Sequence, residues 1–128
     1  MPSAMPSQAR FPGRAPIDAY GNGGFRFADM SHRGSILCLP SGIYAWDVDS
    51  PSGLTPEALA RVLAERTTIA FLLLGSGAHQ VFPDHHLRSA FAQAGIGLEP
   101  MSTGAAARTY NVLLAEGRDV AAALIAVA

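Results

Sequence analysis

Residues 68–74, Thr68-Ile-Ala-Phe-Leu-Leu-Leu74, form a run in which nothing after Thr68 carries a polar side chain. A strand with one wet face alternates apolar and polar residues. An unbroken run of this length is the pattern of a strand covered on both faces. Covering both faces takes elements on each side, so three layers are expected around this strand. Gly75-Ser-Gly77 closes the run. A chain of 128 residues has room for one such domain and not two. Hydrophobic residues at 49% against 15% charged can fill its core, which excludes a disordered polymer.

The elements on either side follow from local signals. Ile17-Asp-Ala-Tyr20 alternates, Gly21-Asn-Gly-Gly24 is a turn, and Phe25-Arg-Phe27 alternates again. A polar loop is expected over 28–34, then strands at Ser35-Ile-Leu-Cys-Leu39 and Ile43-Tyr-Ala-Trp46 around the Pro40-Ser-Gly42 turn. This half reads as antiparallel β hairpins. Thr55-Pro56-Glu57 then starts a helix with the stripe Leu59, Val62 and Leu63. Pro83 is expected to open a second helix with Leu87, Ala90, Phe91 and Ala94 inward, stopped by Gly95. Ile96 and Leu98 form the next strand. Ser102 or Thr103 caps a third helix with Ala106, Ala107, Tyr110, Leu113 and Leu114 inward, closed by Gly117. The last segment, from Val120, is rich in Ala as a helix would be, but its Val, Ile and place after a β-α pair favour a closing strand. The expected fold is α/β: a three-layer β/α arrangement with a central mixed sheet and about three helices. Phe71, Leu73, Leu87, Phe91, Tyr110 and Leu113 are expected to share one core. Residues 1–13, rich in Pro, Ser and Gly, read as a disordered tail before a single globular domain over 14–128.

Charge narrows the partners. Nine basic residues, all Arg, face ten acids, a net charge of −1. Nucleic-acid binding usually needs a basic face or stripe, so no nucleic-acid partner is expected. The longest apolar stretch, Val120 to Ala128, falls far short of the roughly 20 residues of a membrane-spanning helix, so no direct membrane insertion is expected. The start lacks the apolar run of a secretory signal, which leaves the cytoplasm as the expected location. A single Cys, Cys38, excludes an internal disulfide and a Cys-cluster zinc site.

Few residues offer chemistry. Cys38 between Leu37 and Leu39 reads as a buried small hydrophobe rather than a nucleophile. His79, His85 and His86 lie close together, but adjacent histidines on a helix point about 100° apart, so exposed helix-start histidines are the favoured account and no metal is expected. Asp47 and Asp49 read as solvated loop carboxylates. Tyr44 and Trp46 share a strand face, as core or as an interface. Gly75-Ser76-Gly77 follows the buried strand where open α/β sheets place ligands. It lacks the third Gly of a dinucleotide fingerprint, and a chain without Lys has no phosphate-loop lysine. A tight exit from the sheet is the preferred reading. The second candidate string is Glu99-Pro-Met101-Ser-Thr103 with Arg108-Thr-Tyr110-Asn111. Arg108 and Asn111, one turn apart, could hydrogen-bond together, or each could tie the helix to a neighbouring loop. Gly75, Ser76, Gly77, Met101, Thr103, Arg108, Tyr110 and Asn111 therefore make up the candidate binding crevice, with no catalytic residue assigned.

From about Ile17 to Val127 the sequence resembles the bacterial, archaeal and mitochondrial domain-of-unknown-function family that includes mitochondrial complex I assembly factor 3. The resemblance rests on Ile17-Asp-Ala-Tyr20 with Gly24-Phe25, Leu37-Cys-Leu-Pro40, Trp46-Asp-Val48 and Leu74-Gly-Ser-Gly77. It rests above all on Met101-Ser-Thr103, Arg108-Thr-Tyr-Asn111 and Glu116-Gly-Arg118 leading into Ala121-Ala-Ala-Leu124. It implies a three-layer β/α fold and no established catalytic residues. With only Arg10 and Arg14 in the tail and no amphipathic pattern there, no mitochondrial presequence is evident, and the chain resembles a bacterial member.

Two functions from different classes remain. The leading one is a non-enzymatic, assembly-factor-like domain that binds other proteins and supports assembly of a membrane respiratory complex, with no cofactor, as a monomer or homodimer. The alternative is a small-molecule or nucleotide binder, or an enzyme, using the crevice at Gly75-Ser76-Gly77. A third reading is a structural homodimer burying Tyr44 and Trp46. The first two differ in whether the crevice side chains converge on open space or are consumed by internal hydrogen bonds.

Overall fold

A computed structural model describes residues 9–128. The N-terminal half contains β1 (Ala19–Gly21), β2 (Gly24–Phe27), β3 (Met30–Arg33), β4 (Ser35–Leu39) and β5 (Gly42–Trp46). After it come α1 (Ala60–Ala64), β6 (Phe71–Gly75), α2 (His85–Ala94), β7 (Gly97–Met101), α3 (Thr103–Ala115) and β8 (Val120–Leu124). Strands β1-β2-β3 form an antiparallel sheet; the main sheet is mixed, in the order β5-β4-β8-β6-β7. Its β6 runs parallel to both β7 and β8, while β8 is antiparallel to β4. The α/β three-layer fold is as expected.

The closing segment is a strand, and it occupies the middle of the sheet. Val120, Ala122 and Leu124 pack on one face with Ile36, Cys38 and Leu73; Ala121, Ala123 and Ile125 pack on the other with Leu37, Leu39, Leu72 and Leu74. Alanine is a weak strand former, but here both faces are covered and pairing on both sides fixes the backbone. The unbroken run at 69–74 thus hides an ordinary two-residue alternation. That corrects the expectation of one shared core. Leu87 and Phe91 belong to the cluster under α1 and α2, whereas Leu73 and Tyr110, with half-buried Phe71 and Leu113 against them, belong to the cluster under α3 and the small sheet.

Two local expectations are also corrected, and a third is decided for the core, one of its two readings. The polar loop at 28–34 contains β3, because Ala28 and Asp29 form a two-residue turn with positive φ of 49° and 61°. Neither is Gly, so the turn left no signal. The hairpin before it turns on Asn22 and Gly23, φ 53° and 79°, as the sequence led one to expect. The second helix starts at His85, not Pro83: extended Asp84 caps it, with Oδ1 accepting from the Leu87 N–H at 3.1 Å. Tyr44 and Trp46 offer no free interface, being 8% and 6% exposed in the core. The Trp46 Nε1–H donates to the Ala58 carbonyl at 2.8 Å, and Arg61 stacks 4.1 Å from the Tyr44 ring centroid.

Residues 1–8 of the expected tail lie outside the described residues. Beyond them, Arg10 N–H donates to Ile43 O at 2.6 Å and Ile43 N–H to Phe11 O at 2.9 Å, so this segment pairs with β5.

Candidate functional site

Strand β6 ends in Gly75 at the point where α2 leaves towards one face of the sheet and α3 returns on the other. Such a reversal is where open α/β sheets form a crevice. A Cβ on Gly75 would lie 3.0 Å from the Thr103 Cα and 3.0 Å from Leu124 Cδ2. Only Gly lets the strand end and the helix start approach this closely.

The junction is tightly hydrogen-bonded. Thr103, wholly buried, donates its hydroxyl to the Ile125 carbonyl at 2.7 Å and accepts from the Gly77 N–H at 3.0 Å. The Thr103 N–H donates to the Gly77 carbonyl at 2.8 Å. Gly77 reaches this geometry with φ +106°, open to few residues but Gly. The Ser76 N–H donates to the Met101 carbonyl at 2.9 Å. The Ser76 hydroxyl lies 2.7 Å from the His79 carbonyl and accepts from the Val81 N–H at 2.8 Å. Ser102 caps α3, its Oγ accepting from the Ala105 N–H at 3.3 Å. Gly75, Ser76, Gly77, Met101 and Thr103 are therefore brought together, with their polar groups turned on one another.

The remaining candidates lie elsewhere on α3. Asn111 clasps the Ile17 peptide, accepting from its N–H and donating to its carbonyl, both at 2.8 Å. Arg108 Nη1 donates to the Tyr20 hydroxyl at 3.2 Å. The two do not bond each other, since each is taken by the segment leading into or forming β1. Tyr110 is wholly buried below them, its hydroxyl without a partner among the described residues. Burial pushes that phenol well above its usual range, so it stays protonated.

Sequence reasoning missed what borders the junction. A shallow, mainly apolar groove of about 330 Å³ runs past Ser76, Gly77, Val81, Ile125 and Val127. Val81 in its wall is 37% exposed, and Phe82, the next residue in the chain, is 72% exposed. The signal was an apolar pair in a loop, directly before the proline assigned to the helix. Cys38 is fully buried, and desolvation drives its thiol far above the usual range, which keeps it neutral. Among the described residues no group of three or more His, Cys, Asp or Glu is gathered as a metal cluster. None of their helices is long and apolar enough to cross a membrane.

Residues 17–125 match the family model described as a protein of unknown function (DUF498/DUF598). The chain belongs to this family. An uncharacterised protein of Rhodobacter capsulatus is 41% identical over 120 residues, covering 94% of this chain and 91% of that one. NADH dehydrogenase [ubiquinone] 1 alpha subcomplex assembly factor 3 of Mus musculus is 30% identical over 118 residues. That match takes in 92% of this chain but only 64% of the mouse protein, so the chain spans less than two thirds of this relative. The crystal structure of an outer membrane protein from Bartonella henselae superposes with a TM-score of 0.89 at 58% identity, covering 92% of this chain and 99% of that one.

Proposed function

We propose that the domain is a non-enzymatic protein-binding module that supports assembly of a membrane respiratory complex from the cytoplasmic side. The observation that carries this reading is the match to the mouse NADH dehydrogenase assembly factor over 92% of this chain. The site chemistry supports it. The polar groups at the Gly75–Thr103 junction bond internally, and what faces solvent beside them is the apolar groove with exposed Val81 and Phe82. Groups already bonded within the chain have little to offer a small polar ligand, whereas an exposed aromatic beside an apolar groove suits a protein surface.

The test is co-purification of the tagged chain from native membranes followed by mass spectrometry, with a Phe82→Ala twin in parallel. Respiratory-complex subunits or assembly proteins should be enriched, and less so with the twin. Recovery of no such protein, together with amide shifts at residues 75–77 and 102–111 on adding phosphate or a nucleotide, would favour the small-molecule alternative. Fractionation should place the chain in the cytoplasm; recovery in the outer membrane would count against the stated location.

A further inference from the structure

The three-stranded sheet has an outer face that the core does not use. Along β2, Phe25 and Phe27 are buried and Arg26 between them is exposed. The register sets Arg26 opposite Ser31 and Gly24 opposite Arg33, so Arg26, Ser31 and Arg33 share that outer face. Gly24 supplies no side chain there and cannot acquire one, because a Cβ would collide with the His32 carbonyl. A concavity of about 450 Å³ opens over this bare stretch of backbone, bordered by Tyr20, Gly24, Arg26, Ser31, His32 and Arg33.

The charge of this basin is one-sided. No acidic residue lines it; Asp18 and Asp29, the nearest in sequence, are not part of its wall. Among the described residues the Arg26 and Arg33 side chains have no hydrogen bond or ion pair. Arg33 Nη1 rests by the turn, 3.8 Å from where a Gly23 Cβ would be. A third guanidinium, Arg10, is near enough to oppose protonation of His32, whose pKa is lowered first by burial and also by that charge. Two unpaired guanidiniums on a concave surface want carboxylates or phosphates.

Spacing separates these. Arg26 and Arg33 are diagonal neighbours on adjacent strands, a relation that sets backbone positions about 7–8 Å apart. Carboxylates two residues apart in an extended peptide project to one side about 6.5–7 Å apart. Nucleic acid fits less well: the whole chain carries −1, and phosphate backbones are bound by basic faces or stripes rather than by two arginines. Residues 1–8 contain no acid and so carry no carboxylate side chain to offer these arginines.

We propose that this basin binds an acidic, extended segment of a partner protein, two of its carboxylates at positions i and i+2 pairing with Arg26 and Arg33. The proposal rests on the protein-binding reading for the existence of that partner, but its test does not need the partner. The probe is a capped peptide alternating glutamate and threonine, added to the isotopically labelled full chain while amide shifts are recorded. Saturable shifts should concentrate in residues 19–33, weaken as salt is raised, and be absent with a glutamine-for-glutamate peptide. The Arg26→Gln/Arg33→Gln double variant, with the rest of its spectrum unchanged, should bind at least tenfold more weakly.

Shifts centred elsewhere, or equal affinity for the glutamine peptide, would overturn the proposal. So would displacement by inorganic phosphate or a short oligonucleotide at equal charge concentration. Sedimentation showing self-association abolished by the same double variant would assign the basin to a second copy, whose Asp47 and Asp49 are exposed and also two apart. Failure of the peptide with respiratory partners still co-purifying would sink the basin alone. Peptide binding with nothing co-purifying would sink the assembly reading alone.

Discussion

The junction of β6 with α3 and the outer face of the three-stranded sheet are both rich in polar groups, yet they treat them in opposite ways. At the junction the Thr103 hydroxyl bridges Gly77 and Ile125, and the Ser76 hydroxyl links to His79 and Val81. On the small sheet Arg26 and Arg33 have no such partners among the described residues. The difference follows from burial. A hydroxyl removed from water must be bonded within the chain, whereas an exposed guanidinium can remain solvated until something displaces the water. Residue types associated with binding are therefore a poor guide to where binding occurs. The junction looks like a ligand site in sequence and behaves as a weld; the small sheet looks like ordinary alternation and leaves charge free.

If the junction is a weld, breaking it should cost stability. The largest effect is expected for Thr103→Val, which keeps the shape but leaves the Gly77 N–H and the Ile125 carbonyl unpaired. At about 1–3 kcal/mol for each buried orphan, partly recovered by relaxation, denaturant titration should show a loss of about 2–4 kcal/mol. A loss below 1 kcal/mol would mean that water replaces the hydroxyl and the junction is open. Gly75→Ala comes next. Its methyl would press on Thr103 and Leu124, and overpacking of this kind costs about 1–3 kcal/mol.

Asn111→Ala removes two hydrogen bonds to the half-buried approach to β1 and should cost about 1–2 kcal/mol. It should also speed amide exchange at Ile17, which a loss confined to α3 would not do. His32 gives a smaller, pH-dependent term. Its folded-state pKa lies below the ordinary 6.5, so the unfolded chain binds the proton more readily. Stability should therefore fall as pH drops below about 6.5, and His32→Gln should flatten that slope. A slope unchanged in the variant would place the acid sensitivity elsewhere.

The contrast between weld and basin also explains what the sequence could disclose. That Gly75-Ser-Gly77 meets Thr103 was legible, because a glycine after a buried strand and a cap after the next strand must share one sheet edge. That their polar atoms would satisfy one another was not, since this depends on register to within one residue. The continuous run at 69–74 announced burial on both faces but concealed which residue served which face, so two cores read as one. Strand β3 went unseen because Ala28 and Asp29 take a turn that glycines normally announce. The basin was invisible with it: until β3 is paired to β2, Arg26 and Arg33 have no reason to be neighbours.

The smallest expected effect on stability is that of Arg26→Gln/Arg33→Gln, and it is the most telling for the comparison. Exposed residues without partners usually change stability by less than about 0.5 kcal/mol when replaced. If the two guanidiniums repel across the small sheet, removing them should even help slightly, and more at low salt than at high. A denaturant midpoint within that range of the parent, combined with loss of acidic-peptide binding, would show charges held on the sheet for a partner rather than for the fold. A loss of 1 kcal/mol or more would instead show that the arginines are already bonded within the chain. The small sheet would then be a second weld, its polar groups satisfied within the chain like those of the junction.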